Sequence, residues 1–282
     1  MSTEAKPDRL DQYVVRQLPS LSRAFADKLI DQSRVLVNGQ PQLKSGYRLR
    51  ANDQIEIQYD ENEQTSIEDI ELPIIYEDKS CVVIDKPSGL LSHSKGAFNP
   101  EATVASWLGS RVDGLTGERA GIVHRLDRGT SGVMIGAKTP EALGWLQKQF
   151  SQRKVKKMYL AVVRGQLKQA EAIIDMPIER NPKKPQTFRV GSNGKPAVTA
   201  YKVLKSNAKF SLLELRPTSG RTHQLRVHLS HLGHPILGDN LYGGQPADRL
   251  YLHASSLEIT LPNKQRQTFE SPEPAEFHEV VA

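Results

Sequence analysis

The stretch Gly121-Ile122-Val123-His124-Arg125-Leu126-Asp127-Arg128-Gly129-Thr130-Ser131-Gly132-Val133-Met134-Ile135 says more about this chain than any other. Two short apolar runs enclose a segment of polar residues and glycines. Apolar runs of this length read as buried extended segments. The polar residues between them therefore form a loop held at both ends by a rigid scaffold, the setting in which reactive groups tend to sit. Inside the loop, Arg125 and Arg128 set two cations beside the carboxylate of Asp127. The glycines let a substrate come close to the backbone. On chemistry alone, a turn in which Asp127 caps the loop and pairs with an arginine is an equal reading.

Outward from the loop, a strand at 133–137 precedes a helix beginning near Pro140, a residue suited to the first helical turn, with Trp145, Leu146 and Phe150 as core contacts. Residues 158–163 read as a strand, 198–204 and 210–215 as a hairpin, and 222–232 as a helix. Upstream, Ile74-Ile75-Tyr76 and Val82-Val83-Ile84 are strands joined by the polar turn Glu77-Asp78-Lys79-Ser80. Strands and helices mix without strict alternation. The expected class is α+β, with a mostly antiparallel mixed sheet flanked by helices and carrying a cleft, over residues 72–268. Residues 269–282, rich in Pro and Glu, read as a flexible acidic tail.

The front of the chain differs in charge. Lys6, Arg9, Arg16, Arg23, Lys28, Arg34, Lys44, Arg48 and Arg50 face only Asp8, Asp11, Asp27 and Asp31, and an acidic segment poor in apolar residues follows at 60–71. That segment reads as a linker, separating a small domain at 7–59. Leu10, Val14 and Leu18 recur at helical spacing before Pro19, and Ser20 or Ser22 can cap a second helix through Leu29-Ile30. Arg34 to Val37 reads as a strand, Asn38-Gly39 as a hairpin turn and Gln54 to Ile57 as a last strand.

Composition bounds the rest. The chain has 282 residues and a formal net charge of +6, enough for two domains and in favour of a polyanionic partner. The single cysteine, Cys81, lies in the apolar run Cys81-Val82-Val83-Ile84 and reads as a small core residue. No stretch approaches the roughly 18 apolar residues of a membrane span, and the opening residues lack an apolar signal core, so a cytoplasmic, membrane-free protein is expected. His223, His228, His231 and His234 invite a zinc site, but no carboxylate joins them in a His-Glu-x-x-His pattern; no metal is expected. Ser131 lacks a nucleophile elbow. The glycines from Gly238 to Gly244 form neither a phosphate loop nor a dinucleotide fingerprint, and read as a turn-rich loop near the cleft. The run Arg153-Lys154-Val155-Lys156-Lys157-Met158-Tyr159 offers phosphate contacts beside a stacking ring, or else a solvated helix end.

Two resemblances draw these readings together. The segment from Arg9 to Gln40, with a serine-arginine pair between its helices and Arg34-Val35-Leu36-Val37-Asn38-Gly39 after them, is similar to the S-four-like RNA-binding domain. The stretches 124–132, 156–165, Gly220-Arg221-Thr222-His223-Gln224-Leu225-Arg226-Val227-His228-Leu229, 233–239 and 84–90 together resemble the RluA-type pseudouridine synthases, above all those acting on bacterial large-subunit ribosomal RNA. They cover nearly all of the second domain in order. Gly129 departs from the pattern, since many members carry an acid there, and Arg128 stands where lysine is also common.

The resemblance implies an isomerase that converts selected uridines to pseudouridine in structured RNA with no cofactor. Ribosomal RNA is the preferred partner, transfer RNA the second, and the protein is expected to be a monomer. It puts Asp127 in the role of the essential aspartate, Tyr159 as the stacking tyrosine and Arg221 as the arginine that pairs with and orients Asp127. It implies RNA contacts from Arg9, Arg23, Lys28, Arg34, Arg125, Arg128, Lys156 and Lys157. The competing readings are a non-catalytic RNA-binding or ribosome-assembly protein and an aspartate-dependent N-glycosidase, which would release free uracil.

Overall fold

The structure is a computed structural model and describes residues 8–19, 23–59, 69–94, 101–117 and 119–282. It divides into two compact units, one of residues up to 69 and one formed by 70–93 with 103–282. Residues 60–68 of the expected linker, and the Ser20 and Ser22 caps, lie outside the described residues.

The small unit holds α1 (Leu10–Gln17), α2 (Arg23–Asp31), β1 (Val35–Val37), β2 (Gln40–Pro41) and β3 (Ile55–Ile57). The strands form an antiparallel sheet in the order β2-β1-β3. Asn38 and Gly39, both at positive φ (54° and 74°), make the two-residue turn that pairs Val37 with Gln40. The Asn38 side chain also accepts from the Gln54 amide and donates to Asp53, which pins the start of β3. Leu10 and Val14 of α1 meet Ala26, Leu29 and Ile30 of α2 and Val35 of β1 in a closed core.

The large unit contains β4 (Ile74–Glu77), β5 (Cys81–Lys86), α3 (Val104–Gly109), β6 (Ser131–Ala137), α4 (Pro140–Ser151), β7 (Lys156–Arg164), β8 (Glu171–Asp175), β9 (Ile178–Arg180), β10 (Phe188–Val190), β11 (Val198–Ser206), β12 (Phe210–Pro217), α5 (Gln224–His231), β13 (Leu252–Thr260), β14 (Arg266–Glu270) and α6 (Ala275–Glu279). Eight strands follow the order β4-β5-β6-β13-β7-β12-β11-β8, with β14 pairing β13, and β9 and β10 form a separate hairpin. This is the α+β architecture expected.

Side-chain alternation explains why both faces of the sheet are covered. Cys81 and Val83 of β5 and Val133 and Ile135 of β6 pack with Ala142 and Leu146 of α4. The residues between them, Val82, Ile84 and Met134, pack with Val104 and Leu108 of α3. Burial pushes the Cys81 thiol up to about 12, as suits a core residue.

One junction decides where the loop at 124–130 sits. Every ladder in the sheet is antiparallel except β6 with β13, which run parallel and pair only at Ser131–His253 and Gly132–Ala254. Beyond Ala254, β13 turns to β14 instead. At the crossing Gly132 has φ 108°, and a Cβ there would overlap the Ala254 backbone. Glycine is required twice over.

The flexible tail expected at 269–282 is corrected by the structure. Strand β14 crosses its proposed start, and α6 follows with Phe277 and Val281 fully buried. Phe277 stacks on Tyr251 at 5.0 Å, Arg249 pairs with Glu276 at 2.9 Å, and Asn207 donates to the Val280 carbonyl at 2.9 Å. The abundance of Pro and Glu concealed two apolar anchors one helical turn apart.

Candidate active site

The loop from His124 to Thr130 is held from behind before its carboxylate is placed. The Ser92 hydroxyl donates to the Leu126 carbonyl (2.7 Å) and accepts from the Leu126 amide (3.1 Å), clamping the residue before Asp127. Lys86 is fully buried, and its ammonium donates to the carbonyls of Pro87 and Leu90 at 2.8 Å and of Arg128 at 3.3 Å. Burial pushes that lysine down to about 7, against the opposing pull of Asp127. The Thr130 amide closes the turn onto the Asp127 carbonyl. His124 stacks on Phe150 at 4.5 Å and accepts the Ile135 amide through Nε2; burial drives it down to about 3, so the ring is neutral. Gly129 lies against Leu250: a Cβ there would come to 3.0 Å from the Leu250 Cβ, so a larger residue at this position needs Leu250 to give slightly.

The Asp127 carboxylate is thus presented by a fixed backbone. Its Oδ2 accepts from Arg226 Nη1 at 3.2 Å, and its Oδ1 lies 3.8 Å from His223 Nε2. Arg226 is itself clamped, with Nε and Nη2 each donating to the fully buried Asp239 at 2.8 Å and its guanidinium 5.0 Å from the centre of the Tyr242 ring. Burial works against the Arg226 cation, but its bonds and attraction to Asp239 and Asp127 outweigh it and raise its pKa. A bidentate fork to Asp239 leaves Nη1 to donate to Asp127, so the arginine arrives oriented. The pairing expected of Arg221 is made by Arg226. Arg221 lies in the loop before α5 and donates through Nε to the Pro196 carbonyl, while Arg226 is carried inward on the helix.

A satisfied polar chain positions the start of α5. The Met176 carbonyl can only accept, so Nε2 of the neutral His228 carries the proton and Nδ1 accepts from the Thr199 hydroxyl. Burial lowers the His228 pKa, in keeping with that neutral form. Thr199 in turn accepts from Gln224 Nε2, and Gln224 Oε1 accepts from the Ser219 hydroxyl (2.7 Å) and the Arg221 amide (3.0 Å). The next turn outward is His223, left-handed at φ 56°, with its Nδ1 2.8 Å from the Tyr242 hydroxyl. The loop from Gly238 to Gly244 therefore supplies both Asp239 and Tyr242 to the site.

Asp127, Tyr159 and Arg221 line one open cleft of about 630 Å³, together with His223, Arg226 and Leu252. Tyr159 is half-buried on β7, and burial, with Asp127 nearby, holds its phenol above the ordinary range. Arg125 stands at the rim, 3.4 Å from His93. Lys157 is turned inward and donates to the Ser219 carbonyl at 2.9 Å; burial pushes it down to about 8. Lys156 is exposed and lies 3.1 Å from Glu258, and Arg128 is exposed. In the small unit, Arg9 and Arg23 pair with Asp11, Arg34 donates to the Gln58 carbonyl and Lys28 is exposed.

Arg226, Asp239 and Lys86 were missed as site residues, and His223 was considered only as a metal ligand. Helical phasing from Arg221 gave the one available signal: a second arginine inside the helix faces inward where the loop arginine cannot. Nothing local marks Asp239 as its partner.

The comparisons agree with this geometry. Residues 80–231 match the family model described as RNA pseudouridylate synthase, and residues 8–55 match the S4 domain. An uncharacterized RNA pseudouridine synthase of Aquifex aeolicus is 39% identical over 85% of this chain and 78% of its own length. The ribosomal large subunit pseudouridine synthase D of Escherichia coli K12 is 37% identical over 90% of this chain and 83% of its own. Among solved structures, human RNA pseudouridylate synthase domain containing 1 superposes with a TM-score of 0.61 at 31% identity, over 72% of this chain and 84% of the human one. This chain belongs to the RNA pseudouridylate synthase family and carries an S4 domain in front of the synthase domain.

Proposed function

We propose that this pseudouridine synthase isomerises uridines of large-subunit ribosomal RNA in the cytoplasm, as a monomer, with Asp127 as the catalytic residue. The observation that carries the proposal is the state of that carboxylate. One oxygen is held by a clamped arginine, the other faces the cleft, and no second carboxylate lines the cleft among the described residues. Hydrolysis of a glycosidic bond by two carboxylates needs the missing partner, whereas isomerisation needs only one. The ribosomal preference rests on the S4 domain and on the name of the Escherichia coli relative.

In the reaction the bond from ribose C1′ to uracil N1 breaks, the uracil turns while still held, C5 bonds to C1′, and C5 loses a proton to solvent while N1 takes one up. Asp127 has three ways to assist: addition to C1′, addition to the uracil ring, or removal of a ribose proton. In each, Arg226 fixes Oδ2 so that Oδ1 meets the nucleotide in one orientation. Tyr159, kept neutral, gives the turning base a face, and Arg221 and Arg125 meet phosphate at the rim. A uridine in folded RNA must leave its stack to reach Asp127, so the depth of the cleft selects for extruded bases. Excluding water separates isomerisation from loss of uracil.

Tritium release from C5-labelled uridine in ribosomal and transfer RNA transcripts tests the reading. Release from ribosomal RNA by the wild type, absent in Asp127→Asn with RNA binding retained, is the expected result. Free uracil would make the protein an N-glycosidase, and binding without release would make it a non-catalytic RNA binder.

A further inference from the structure

A second cleft, of about 1200 Å³, opens beside the first and shares Tyr159, Lys157 and Arg221 with it. Its apolar side is built from Val123, Val155 and the stacked pair His124–Phe150. Its cations are Arg125, Arg153, Lys157 and Arg221, and no Asp or Glu lines it among the described residues. Arg153 is exposed on a left-handed residue (φ 56°) that ends α4, with no carboxylate partner among the described residues. A third cleft, which shares Arg153, Val155 and Lys157 with it, differs in its acids. There Glu258 pairs with Lys156 at 3.1 Å and with Arg266 at 2.6 Å, and Arg216 pairs with Glu214 at 2.7 Å.

Both neighbouring clefts are basic by count, but only one leaves its cations without acidic partners. A phosphate entering the Glu258 side has to compete with carboxylates already in place. On the His124–Phe150 side it meets none among the described residues, and an apolar, partly aromatic surface lies within reach of the attached base. The bland reading of Arg153 is a cation that complements the helix end. It accounts for the charge but not for an open hollow, free of acids among the described residues, that continues from the reacting cleft.

We propose that this acid-free cleft seats a nucleotide adjoining the target uridine, with its phosphate on Arg153 and its base along the His124–Phe150 side. The proposal rests on the synthase reading above and extends it by naming the side on which the RNA strand leaves the catalytic cleft.

The test uses the full chain and C5-tritiated large-subunit ribosomal RNA transcript, comparing wild type with Arg153→Glu, Gln147→Glu and Arg216→Glu. Gln147 is exposed on α4 and lines the same cleft, so it adds an acid without touching Arg153. Arg153→Glu and Gln147→Glu are each expected to raise KM about tenfold with kcat within about twofold. Arg153→Glu should also reduce the salt dependence of kcat/KM by about one phosphate contact. Arg216→Glu should stay within about twofold of wild type, and melting curves should coincide for all four proteins. Unchanged KM in both Arg153→Glu and Gln147→Glu, or an equal rise in Arg216→Glu, overturns the subsite while leaving the synthase intact. A wild type that releases no tritium from the transcript brings down the synthase reading and the subsite with it.

Discussion

Asp11 of the small unit and Asp127 of the large one are made from the same ingredients and put to opposite uses. Asp11 is 1% exposed and saturated: Arg9 donates to both oxygens at 3.0 and 3.2 Å, Arg23 meets Oδ2 at 2.6 Å, and the Gln12 amide donates to Oδ1. Asp127 keeps 19% of its side chain exposed and has one arginine. That arginine is tied more firmly to Asp239 than to Asp127, at 2.8 Å against 3.2 Å. A carboxylate enclosed by cations holds structure together. One held on a single oxygen, by a cation anchored elsewhere, is oriented and still able to react.

The sharpest break of this comparison is Asp127→Asn. Tritium release should fall by at least about a thousandfold. The melting temperature should move by less than about 2 °C, because Arg226 keeps Asp239 and no buried charge is orphaned. A large loss of stability would place Asp127 with Asp11 among the structural carboxylates.

Next in size is Arg226→Lys, which keeps the charge and loses the fork. A point cation cannot hold Asp239 by two bonds and Asp127 by a third. We expect kcat to fall about a hundredfold with KM little changed. A rise in KM with kcat unchanged would mean that Arg226 binds RNA instead of orienting Asp127.

Asp11→Asn should do the reverse. Steady-state kcat is expected to be unchanged, while the small unit loses about 2 kcal/mol at neutral pH, as charge-assisted hydrogen bonds are weakened. Burial alone would raise the Asp11 pKa, but its bonds to Arg9 and Arg23 outweigh burial and lower it. The contribution is therefore full above the unfolded carboxylate value of about 3.9 and is lost as pH falls through the lower folded value. Chemical denaturation of wild type and variant should converge in acid; a gap that persists there would assign the effect to packing.

The smallest effect extends the contrast to the cations. The arginines around Asp11 keep their charge at any working pH, but Lys157, pushed down to about 8 by burial, loses its proton as pH rises through that value. KM for RNA should rise about threefold between pH 7 and 9, and Lys157→Arg should abolish the rise. The same rise in the arginine variant would trace it to another group.

The legible parts of the molecule were local. Continuous apolar runs marked β5 and β6, Asn38-Gly39 gave its hairpin, and one ordered set of motifs singled out Asp127 and Tyr159, which line one cleft. What escaped is long-range. Asp239 and Arg226 meet by tertiary packing, and strand β13, which carries the parallel junction, has its partners settled far away in sequence. The arginine for Asp127 was therefore assigned to Arg221, the more visible member of the motif. The C-terminal helix escaped for a compositional reason, since Phe277 and Val281 are diluted among Pro and Glu.

The parallel junction has a kinetic consequence. Ser131, four residues beyond Asp127, bonds to His253 across 122 residues of chain, and Arg249 reaches the same serine hydroxyl while paired to Glu276. Contacts of such separation form late, because the closure entropy comes before their reward. The sheet around β7, β11 and β12 can assemble from neighbours, but the catalytic loop must wait for β13. On refolding from denaturant, activity should return with the slowest spectroscopic phase, and its appearance in an earlier phase would show that the loop does not need this strand. Return with the slowest phase makes the chemistry of the enzyme the closing event of its folding.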